Sequence, residues 1–551
     1  MAQFEASKRK FPLKRLHVTI LDLATNRRSR HLYSRLMNAN FASIMPQAVA
    51  TWCEKAGHAV RYLCYTGSEE LSTYLSEELR GKTDLLFVSS FTRSAQTVYA
   101  ISHLFRQAGA VTAIGGPHAR CYPEDAAQYF DYVLGFTDEA LIRGILDECA
   151  AHRPVGVQLS AQRQPAHLPG VQERWKFIET NLAKAPLIGA VPMIGSLGCP
   201  YTCNFCIDAS VPYQPVSLDQ IREDLRFVSR KMRWPLVAWH DPNFGVRFDE
   251  IMTAIEEAVP PGRVAFVAES SLSLLSEPNL RRLQRNCFKA LLPGIESWFE
   301  LGNKSKTGTH TGMEKVERVA DHVNQILRYV PYVQTNFILG LDSDHGAEPF
   351  ELTKRFLDLA PGAFPTFSLL TAFGRSTSLN LDLQREGRVL PFPFHFLDNN
   401  KAMNVSPKHY GWREFYDHVV DLTGYAFSWP RIWRRVRSSR QIAPRAINLL
   451  RASSEGFGRL RYHSTIRRLL DVDPDVRRFL HGESDRLPRF YEERLRSDLG
   501  PLWEALPRQS LMHDPNAYLK ELRNGTNGLG SLEEAHRGRS PAREVEEGRK
   551  S

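Results

Sequence analysis

Residues 15–150 alternate short apolar runs with longer runs in which apolar residues recur every three or four positions. Short apolar runs are typical of buried strands, and the periodic runs are typical of helices that bury one face. The pattern predicts strands at 15–23, 59–65, 84–90 and 111–114, and helices at 43–55, 71–80 and 95–107. Strands that alternate with helices indicate a doubly wound parallel sheet, which binds ligands at the carboxyl ends of its strands.

The alternation resumes after residue 190 with longer spacing. It predicts six further strands, at 191–197, 236–240, 264–269, 290–294, 333–339 and 366–370, with helices between them such as 218–230 and 313–328. Six strand–helix units indicate a full or partial (β/α) barrel, whose chemistry lies where the strands run into loops.

The remaining segments lack this alternation. Residues 152–185 show no clear period and are predicted to be a linker, and residues 391–523 are predicted to be a helical, Arg-rich region. The predicted organisation is an arm (1–14), a doubly wound α/β domain (15–151), the linker, a partial (β/α)6 barrel (186–390), the helical region and a disordered tail (524–551).

The composition is that of a globular protein. Of 551 residues, 42% are hydrophobic and 24% are charged, which excludes a collagen-like or wholly disordered chain. At roughly 100–200 residues per domain, the length suggests about three domains. The first residues form no apolar signal segment, and no run approaches about 18 apolar residues, so we expect a cytoplasmic protein.

The net charge of +10 is concentrated in one segment. Between Arg431 and Arg496 there are seventeen Arg, no Lys and eight acidic residues, so this segment alone contributes +9. The first interpretation is a solvated helix face, and the alternative is peripheral contact with an anionic membrane or an acidic partner. No nucleic-acid module accompanies the charge, so we expect no nucleic-acid partner.

Three of the eight cysteines fall within eight residues. Cys199, Cys203 and Cys206 form a C-x3-C-x2-C array directly after the first predicted barrel strand. Closely spaced thiolates bind soft metals and iron–sulfur clusters, and three ligands would leave one iron of a cubane open to a small molecule. A structural zinc site would need a fourth ligand, and the spacing of the nearest later candidate, His240, does not match such sites.

This loop, with Phe205 before its third cysteine, resembles the signature of the radical S-adenosylmethionine (SAM) enzymes. The resemblance implies a 4Fe–4S cluster on Cys199, Cys203 and Cys206, with SAM chelating the open iron and Phe205 lying against its adenine. One electron from the cluster would cleave SAM to methionine and a 5′-deoxyadenosyl radical, which would remove a hydrogen atom from the substrate. The protein would supply positioning and exclude water.

Three later segments match the family at predicted strand ends. W-H-D-P-N-F follows the second barrel strand, G-I-E-S closes the fourth and N-F-I-L-G closes the fifth. A Glu at a strand end is also a common salt-bridge partner, so their order after the cysteine loop counts for more than any one of them. The resemblance implies SAM contacts from Asp241, Asn243, Glu296, Ser297, Asn336 and Gly340.

A doubly wound domain before such a barrel resembles the cobalamin-binding subfamily of radical SAM enzymes. The matching residues follow the third and fourth strands of that domain, and the resemblance implies cobalamin contacts from Ser89, Ser90, Gly115, Gly116 and Pro117. Glycines there would let the backbone approach a corrin closely. The alternative is a sheet domain that has lost its cofactor and only packs on the barrel.

Two features depart from that subfamily. The G-E-G-E segment that usually follows the last strand is replaced by F-T-D-E at 136–139, and the cobalt-binding D-x-H-x-x-G loop is absent. His31 lies in the corresponding region without that spacing, so no protein imidazole is predicted below the cobalt. His118 is interpreted as a loop residue rather than a cobalt ligand.

Residues 383–389 resemble the branch that includes hopanoid methylases and the oxidative porphyrin cyclase, although the usual P-G-T-P-L run is replaced. The resemblance implies a cobalamin-dependent radical enzyme that methylates an unactivated carbon of a small-molecule or lipid-like substrate, with an electron donor such as flavodoxin or ferredoxin. The alternatives are an oxidative cyclase or rearrangement enzyme without methyl transfer, and a non-catalytic cluster-binding regulatory protein. The downstream aromatics are interpreted as core rather than substrate contacts: Tyr410, Trp412, Phe415, Tyr416, Trp429 and Trp433.

Overall fold

The computed structural model describes residues 15–149, 155–185 and 187–515. The predicted arm at 1–14 and the predicted tail at 524–551 lie outside these residues. No helix of the described ranges is long and apolar enough to cross a membrane.

The first sheet is parallel throughout, with strand order β2-β1-β3-β4-β5-β6. Its strands are β1 (His17–Leu23), β2 (Ala59–Tyr65), β3 (Leu85–Ser89), β4 (Val111–Gly115), β5 (Tyr132–Leu134) and β6 (Val157–Leu159). Every residue of β1 after His17 is buried, so both faces of this strand are covered, as in other parallel sheets between two layers of helices. Its two faces contribute to two separate core clusters, as a doubly wound sheet requires.

Eight helices lie between or after the first five strands in the described residues. They are α1 (Leu32–Met37), α2 (Ile44–Lys55), α3 (Leu71–Tyr74), α4 (Glu77–Gly81), α5 (Ala95–Gln107), α6 (Pro117–Cys121), α7 (Pro123–Ala126) and α8 (Glu139–Cys149). The helix predicted at 71–80 is two short helices, because the chain leaves helical geometry at Leu75 and restarts with the Ser76 side chain accepting a hydrogen bond from the Leu79 amide.

Within the segment predicted as a linker, 152–185, the described residues 155–185 contain regular structure, so the linker expectation was wrong for them. It contains β6, which pairs with β5, and helix α9 (Val171–Leu182). Helix α9 contacts α2, and Arg174 donates to the Gln47 side chain at 2.6 Å. Polar residues dilute the apolar positions of α9, so packing between neighbours, rather than its own periodicity, stabilises this helix.

The second sheet curves as a partial barrel of parallel strands. Its strands are β7 (Val191–Met193), β10 (Leu236–Trp239), β11 (Ala265–Ala268), β12 (Phe288–Leu291), β13 (Gly294–Glu296), β14 (Tyr332–Leu339) and β15 (Phe364–Leu369), and a small antiparallel pair, β8 (Ser196–Leu197) with β9 (Gln214–Pro215), follows β7. The order β7-β10-β11-β12-β14-β15 confirms six strand positions, with β13 continuing the fourth and pairing with β14.

The barrel helices are α10 (Leu218–Lys231), α11 (Phe248–Ala258), α12 (Glu277–Arg285), α13 (Gly302–Ser305), α14 (Gly312–Tyr329), α15 (Glu348–Leu359) and α16 (Ser378–Arg385). The C-terminal region is helical, as predicted. It contains α17 (Trp412–Ala426), α18 (Trp429–Ser438), α19 (Ile442–Arg451), α20 (Phe457–Val472), α21 (Pro474–Leu480) and α22 (Arg489–Leu499). The predicted fold class is therefore confirmed, while the exact domain borders stay a prediction.

Candidate functional site

The three clustered cysteines lie on one loop that a short antiparallel pair closes at its base. Ser196 pairs with Pro215 and Leu197 with Gln214, so the intervening chain is held as a loop at the end of the first barrel strand. Gly198 has φ +71°, and a Cβ there would meet the carbonyl oxygens of Val211 and Pro212 at 2.6 Å. Only glycine therefore allows the two sides of this loop to approach so closely.

The three cysteines of this loop are the predicted ligands of an iron–sulfur cluster. All three are partly exposed and unpaired by disulfides, and the Cys206 amide donates to the Cys203 carbonyl at 3.0 Å. Among the described residues, no three His, Cys, Asp or Glu side chains converge as ligands of one metal ion. In a cubane each cysteine binds a different iron, so its three sulfurs need not converge on one point. Burial raises the pKa of the Cys206 thiol to about 12, so a bound metal would have to displace its proton.

Asp241, at the end of the second barrel strand, holds the start of the cysteine loop. Its carboxylate accepts hydrogen bonds from the Gly195 amide at 2.9 and 3.0 Å and from the Ser196 hydroxyl at 3.0 Å. Burial raises the pKa of this carboxyl to about 6. The geometry gives Asp241 a positioning role for the loop, and its predicted contact with SAM stays a prediction.

Asn243 ties together the ends of neighbouring strands. Its side-chain amide donates to the Ser271 hydroxyl at 3.2 Å, and its carbonyl oxygen accepts from the Ser271 amide at 3.2 Å. Ser271 in turn bridges to Gly294. The strand ends predicted to contact SAM therefore form one connected edge.

Glu296 and Lys304 form an ion pair beside the cysteine loop. Glu296 has φ +66°, a conformation that non-glycine residues rarely adopt, and its Oε1 lies 2.7 Å from Lys304 Nζ. Lys304 Nζ lies 5.6 Å from the centroid of the Phe205 ring. Burial acts against the Lys304 charge, but Glu296, together with the nearby Cys203 and Cys206, outweighs it and raises the pKa of the ammonium. This segment therefore places a cation against the proposed adenine-contacting ring.

The other predicted SAM residues have defined local roles. Ser297 accepts backbone hydrogen bonds from Phe299 and Glu300 at 3.1 and 3.2 Å, so its hydroxyl shapes the turn after β13. Asn336 donates to the Pro293 carbonyl at 3.3 Å. The Gly340 amide donates to the Asp344 carboxylate at 3.0 Å. These three residues lie at the same barrel edge, and direct contacts with SAM stay a prediction.

Lys304 and Glu269 are two charged groups at this edge that sequence reasoning missed. Glu269 directly follows β11, and its side chain is accessible to solvent although neighbouring residues surround it. Burial and the nearby Asp208 carboxylate raise its pKa to about 7. An acidic residue closing a buried strand was a visible signal for Glu269, whereas no pattern pointed to Lys304.

The edge of the first sheet that was predicted to bind cobalamin is built from small residues. The Ser90 amide donates to the Gly115 carbonyl at 3.1 Å, and Gly116 has φ +91°. A Cβ on Gly116 would lie 3.0 Å from Ser89 and Ser90 atoms, so this glycine permits close packing of two loops. A Cβ on Gly115 would meet only Leu134, at 3.9 Å. Small side chains leave this edge without bulk, which fits a large planar ligand.

Helix α6 starts at Pro117, next to these glycines, and its His118 is fully buried. His118 Nε2 lies 2.6 Å from the Tyr99 hydroxyl, which donates to Asp125 at 2.6 Å. Burial lowers the pKa of His118 to about 3, so its imidazole is neutral. His31 is exposed at the start of α1. The arrangement gives His118 a core position, and the absence of an imidazole below a bound cobalt stays a prediction.

The two candidate edges face each other across a polar contact. Arg120 of α6 lies 3.5 Å from Asp208, which follows the last clustered cysteine by two residues. Arg375, after the sixth barrel strand, lies 2.8 Å from Glu124. The Tyr122 hydroxyl donates to the Ala372 carbonyl at 3.2 Å. The fold thus brings the edge predicted for cobalamin to the edge predicted for the cluster and SAM.

No protein-family model matches the chain. The chain is 22% identical over 363 residues to bacteriochlorophyllide d C-12(1)-methyltransferase of Chlorobaculum tepidum, covering 64% of this chain and 77% of that protein. It is 25% identical over 361 residues to hopanoid C-2 methylase of Rhodopseudomonas palustris, covering 62% and 65%. Both similarities confirm the branch resemblance seen in the sequence.

Two solved structures share the fold. The apo form of OxsB, a cobalamin-dependent S-adenosylmethionine radical enzyme, superposes with a TM-score of 0.53 at 12% identity, covering 90% of this chain and 80% of that one. TsrM from Kitasatospora setae, a radical S-adenosylmethionine methyltransferase with bound cobalamin and [4Fe-4S] cluster, gives a TM-score of 0.50 at 13% identity, covering 68% and 75%. The resemblance to cobalamin-binding radical SAM enzymes is confirmed at the level of the fold.

Proposed function

We propose that this protein is a cobalamin-dependent radical SAM enzyme that methylates an unactivated carbon of a small-molecule or lipid-like metabolite. Its curated relatives are named as methylases of a bacteriochlorophyllide and a hopanoid, and its structural neighbours as cobalamin- and SAM-dependent enzymes. The cofactors proposed are a 4Fe–4S cluster on Cys199, Cys203 and Cys206, SAM, and cobalamin.

One observation supports this function above the others: the cysteine loop and the Gly115–Gly116 edge lie against each other. The contact between Arg120 and Asp208 joins them. Methyl transfer from a corrinoid to a substrate radical requires both cofactors to reach one substrate. A cluster-binding regulatory protein would have no need of this arrangement.

When bound, the cluster supplies the electron that cleaves SAM, and cobalamin supplies a methyl group carried on cobalt. The chain's own residues position these groups. Asp241 fixes the start of the cysteine loop through the Gly195 amide. Lys304 offers a cation beside Phe205, where it would attract the carboxylate of SAM. Glu296 holds that cation in place.

An external electron donor completes the proposal. Cys203 lines a cleft that is partly open to solvent, together with Thr202, Ser210 and Arg385. The cluster-bearing loop therefore has one side facing the surface. We propose that a small redox protein of the flavodoxin or ferredoxin type delivers electrons at this cleft.

The proposed function is tested by comparing metabolites of cells that contain the protein with those of cells carrying the Cys203→Ala variant. We expect a compound one methylene unit heavier only with the unaltered protein, and its unmethylated precursor with the variant. Identical extracts under conditions in which both proteins accumulate to the same level would contradict methyl transfer.

A further inference from the structure

Three helices bring together two segments that are rich in arginine and contain no acidic residue. Helix α19 contacts both α1 and α18, and the Arg451 guanidinium lies 5.4 Å from the centroid of the Tyr33 ring. Residues 27–37 and 429–451 together contain eleven Arg and neither Asp nor Glu. Nearly 400 positions separate these segments in the sequence, so only the fold brings them together.

Most of these arginines are exposed and lack a carboxylate partner. Arg27, Arg28, Arg431 and Arg451 pair with acidic residues elsewhere in the chain. Six others are exposed and form no ion pair with any carboxylate of the described residues: Arg30, Arg35, Arg434, Arg437, Arg440 and Arg445. Unpaired like charges repel one another, so a surface of this kind favours an anionic partner.

The rest of the Arg-rich region is different. Arg467 lies beside Asp417 and 2.6 Å from Asp471. Arg478 pairs with Asp475 and Arg489 with Glu493, each at 2.6 Å. These pairs match the solvated helix face that was the first interpretation of the sequence. Arg461, Arg468 and Arg486 of that region are also exposed and form no ion pair with a described carboxylate, so the uncompensated charge is densest in the α18–α19 part rather than confined to it, and α1 adds to it.

The same three helices expose large apolar side chains. Trp429 and Trp433, which were expected to be core residues, are instead exposed on one face of α18, while Ile432 and Arg435 on the opposite side are buried. The exposed fractions are 58% for Leu32, 55% for Trp429, 47% for Trp433, 82% for Ile442 and 37% for Leu449. These side chains lie on helices that contact each other through α19, and exposed apolar groups gathered on neighbouring helices are typical of a binding surface.

We propose that α1, α18 and α19 form a surface that binds an anionic lipid bilayer peripherally. Tryptophan prefers the interface between lipid headgroups and acyl chains, and arginine is attracted to anionic headgroups. Stable attachment needs both contributions, and both are present on these helices. A nucleic acid would satisfy the arginines but would leave Ile442, Leu449 and the indole rings without a comparable partner. The bilayer is the occupant that accounts for both kinds of side chain.

Vesicle sedimentation with the full-length protein tests this surface. The vesicles are phosphatidylcholine alone or phosphatidylcholine with phosphatidylglycerol, at low and high salt. Two double variants are compared, one with Trp429→Ala and Trp433→Ala and one with Arg434→Glu and Arg437→Glu. A third variant carries Trp433→Ala alone, because Trp429 also packs on Phe457. Matched controls are Trp234→Ala, an exposed tryptophan elsewhere, and Arg226→Glu with Arg230→Glu, two exposed arginines on α10.

We expect binding to the anionic vesicles that weakens with salt and is at least about tenfold weaker in the double arginine variant. Both tryptophan variants should bind less, whereas both controls should bind like the unaltered protein. Equal binding by variants and controls would overturn the proposal, as would equal binding to neutral vesicles. Tighter binding to single-stranded RNA than to anionic vesicles, lost in the arginine variant alone, would also overturn it. Circular dichroism and iron content, which do not depend on the bilayer, verify that each variant is folded.

Discussion

Arg120 of the first domain lies 3.5 Å from Asp208 of the barrel, two residues beyond Cys206. The two side chains are 19% and 33% exposed, so the pair lies at the border between buried and solvated contacts. A pair of this kind contributes little to stability by itself. The pair is important because of its position: it connects the helix after Gly116 with the loop that carries the cysteines.

The cysteine loop gives the most direct prediction about the cluster. We expect Cys203→Ala to lose the 4Fe–4S cluster after anaerobic reconstitution, because its sulfur is one of only three proposed iron ligands. Iron content and electron paramagnetic resonance measure this loss. Cys149→Ala, on α8 of the first domain, is the control and should keep the full signal. An unchanged signal in Cys203→Ala would remove the basis of the assignment.

Gly115 tests the cobalamin edge without disturbing the fold. A Cβ there would meet only Leu134, at 3.9 Å, and Gly115 does not have a positive φ, so we expect Gly115→Leu to fold. The leucine would nevertheless fill the space proposed for the corrin, and we expect the purified variant to retain no corrinoid. Gly144→Leu, where a Cβ meets nothing within 4 Å, is the control. Equal corrinoid content in both variants would contradict the assignment of this edge.

Lys304 should affect SAM binding rather than assembly of the cluster. Lys304→Met removes the cation beside Phe205 and leaves the Glu296 carboxylate unpaired, 11% exposed. We expect SAM to bind roughly 30-fold more weakly, since losing the proposed contact between the ammonium and the SAM carboxylate in a largely buried site costs about 2 kcal/mol of binding free energy. Equilibrium dialysis with SAM measures this. Lys231→Met on the exposed side of α10 should bind normally, and an unchanged affinity in Lys304→Met would exclude the role.

The buried carboxyl of Asp22 should make the stability of the first domain depend on pH. Burial raises its pKa to about 7, although the carboxylate accepts hydrogen bonds from the Ser43 amide at 2.7 Å and the Tyr62 hydroxyl at 3.0 Å. Because the folded-state pKa is above the unfolded value, the folded protein binds this proton more tightly. Its contribution to stability is complete below about pH 4 and is lost as the pH rises towards 7.

Asp22→Asn keeps a neutral side chain of the same shape and should flatten this dependence. Denaturant unfolding between pH 5 and 8 is the measurement, since linear extrapolation gives the free energy of unfolding at each pH. We expect the unaltered protein to lose about 1–3 kcal/mol more than the variant across this range. Parallel curves for the two proteins would show that Asp22 does not titrate as its burial implies.

Much of the architecture was predictable, because strands that are buried on both faces leave short apolar runs in the sequence. β2 has the bounds predicted from the sequence. The fourth barrel strand was harder: it divides into β12 and β13 around Leu292 and Pro293, and proline cannot donate to a strand ladder. Helix α9 was missed because tertiary packing rather than a periodic pattern stabilises it.

The site was predictable only in part. The cysteine loop and the strand ends carry local motifs, so their positions follow from the sequence. Lys304 reaches the loop because Glu296 adopts a left-handed backbone conformation and pairs with it, and neither feature leaves a sequence pattern. Likewise, no sequence pattern indicates that α19 contacts both α1 and α18, because the fold alone brings these helices together.

We propose that this protein uses SAM in two ways: one SAM donates its methyl group, and a second is cleaved to give a radical. The most direct measurement is product analysis of anaerobic, cluster-loaded and cobalamin-loaded protein incubated with SAM, a reductant and an extract of the Cys203→Ala cells. We predict both S-adenosylhomocysteine and 5′-deoxyadenosine, formed together with the methylated product. 5′-Deoxyadenosine without S-adenosylhomocysteine would contradict methyl transfer, and the absence of both would contradict catalysis by this protein.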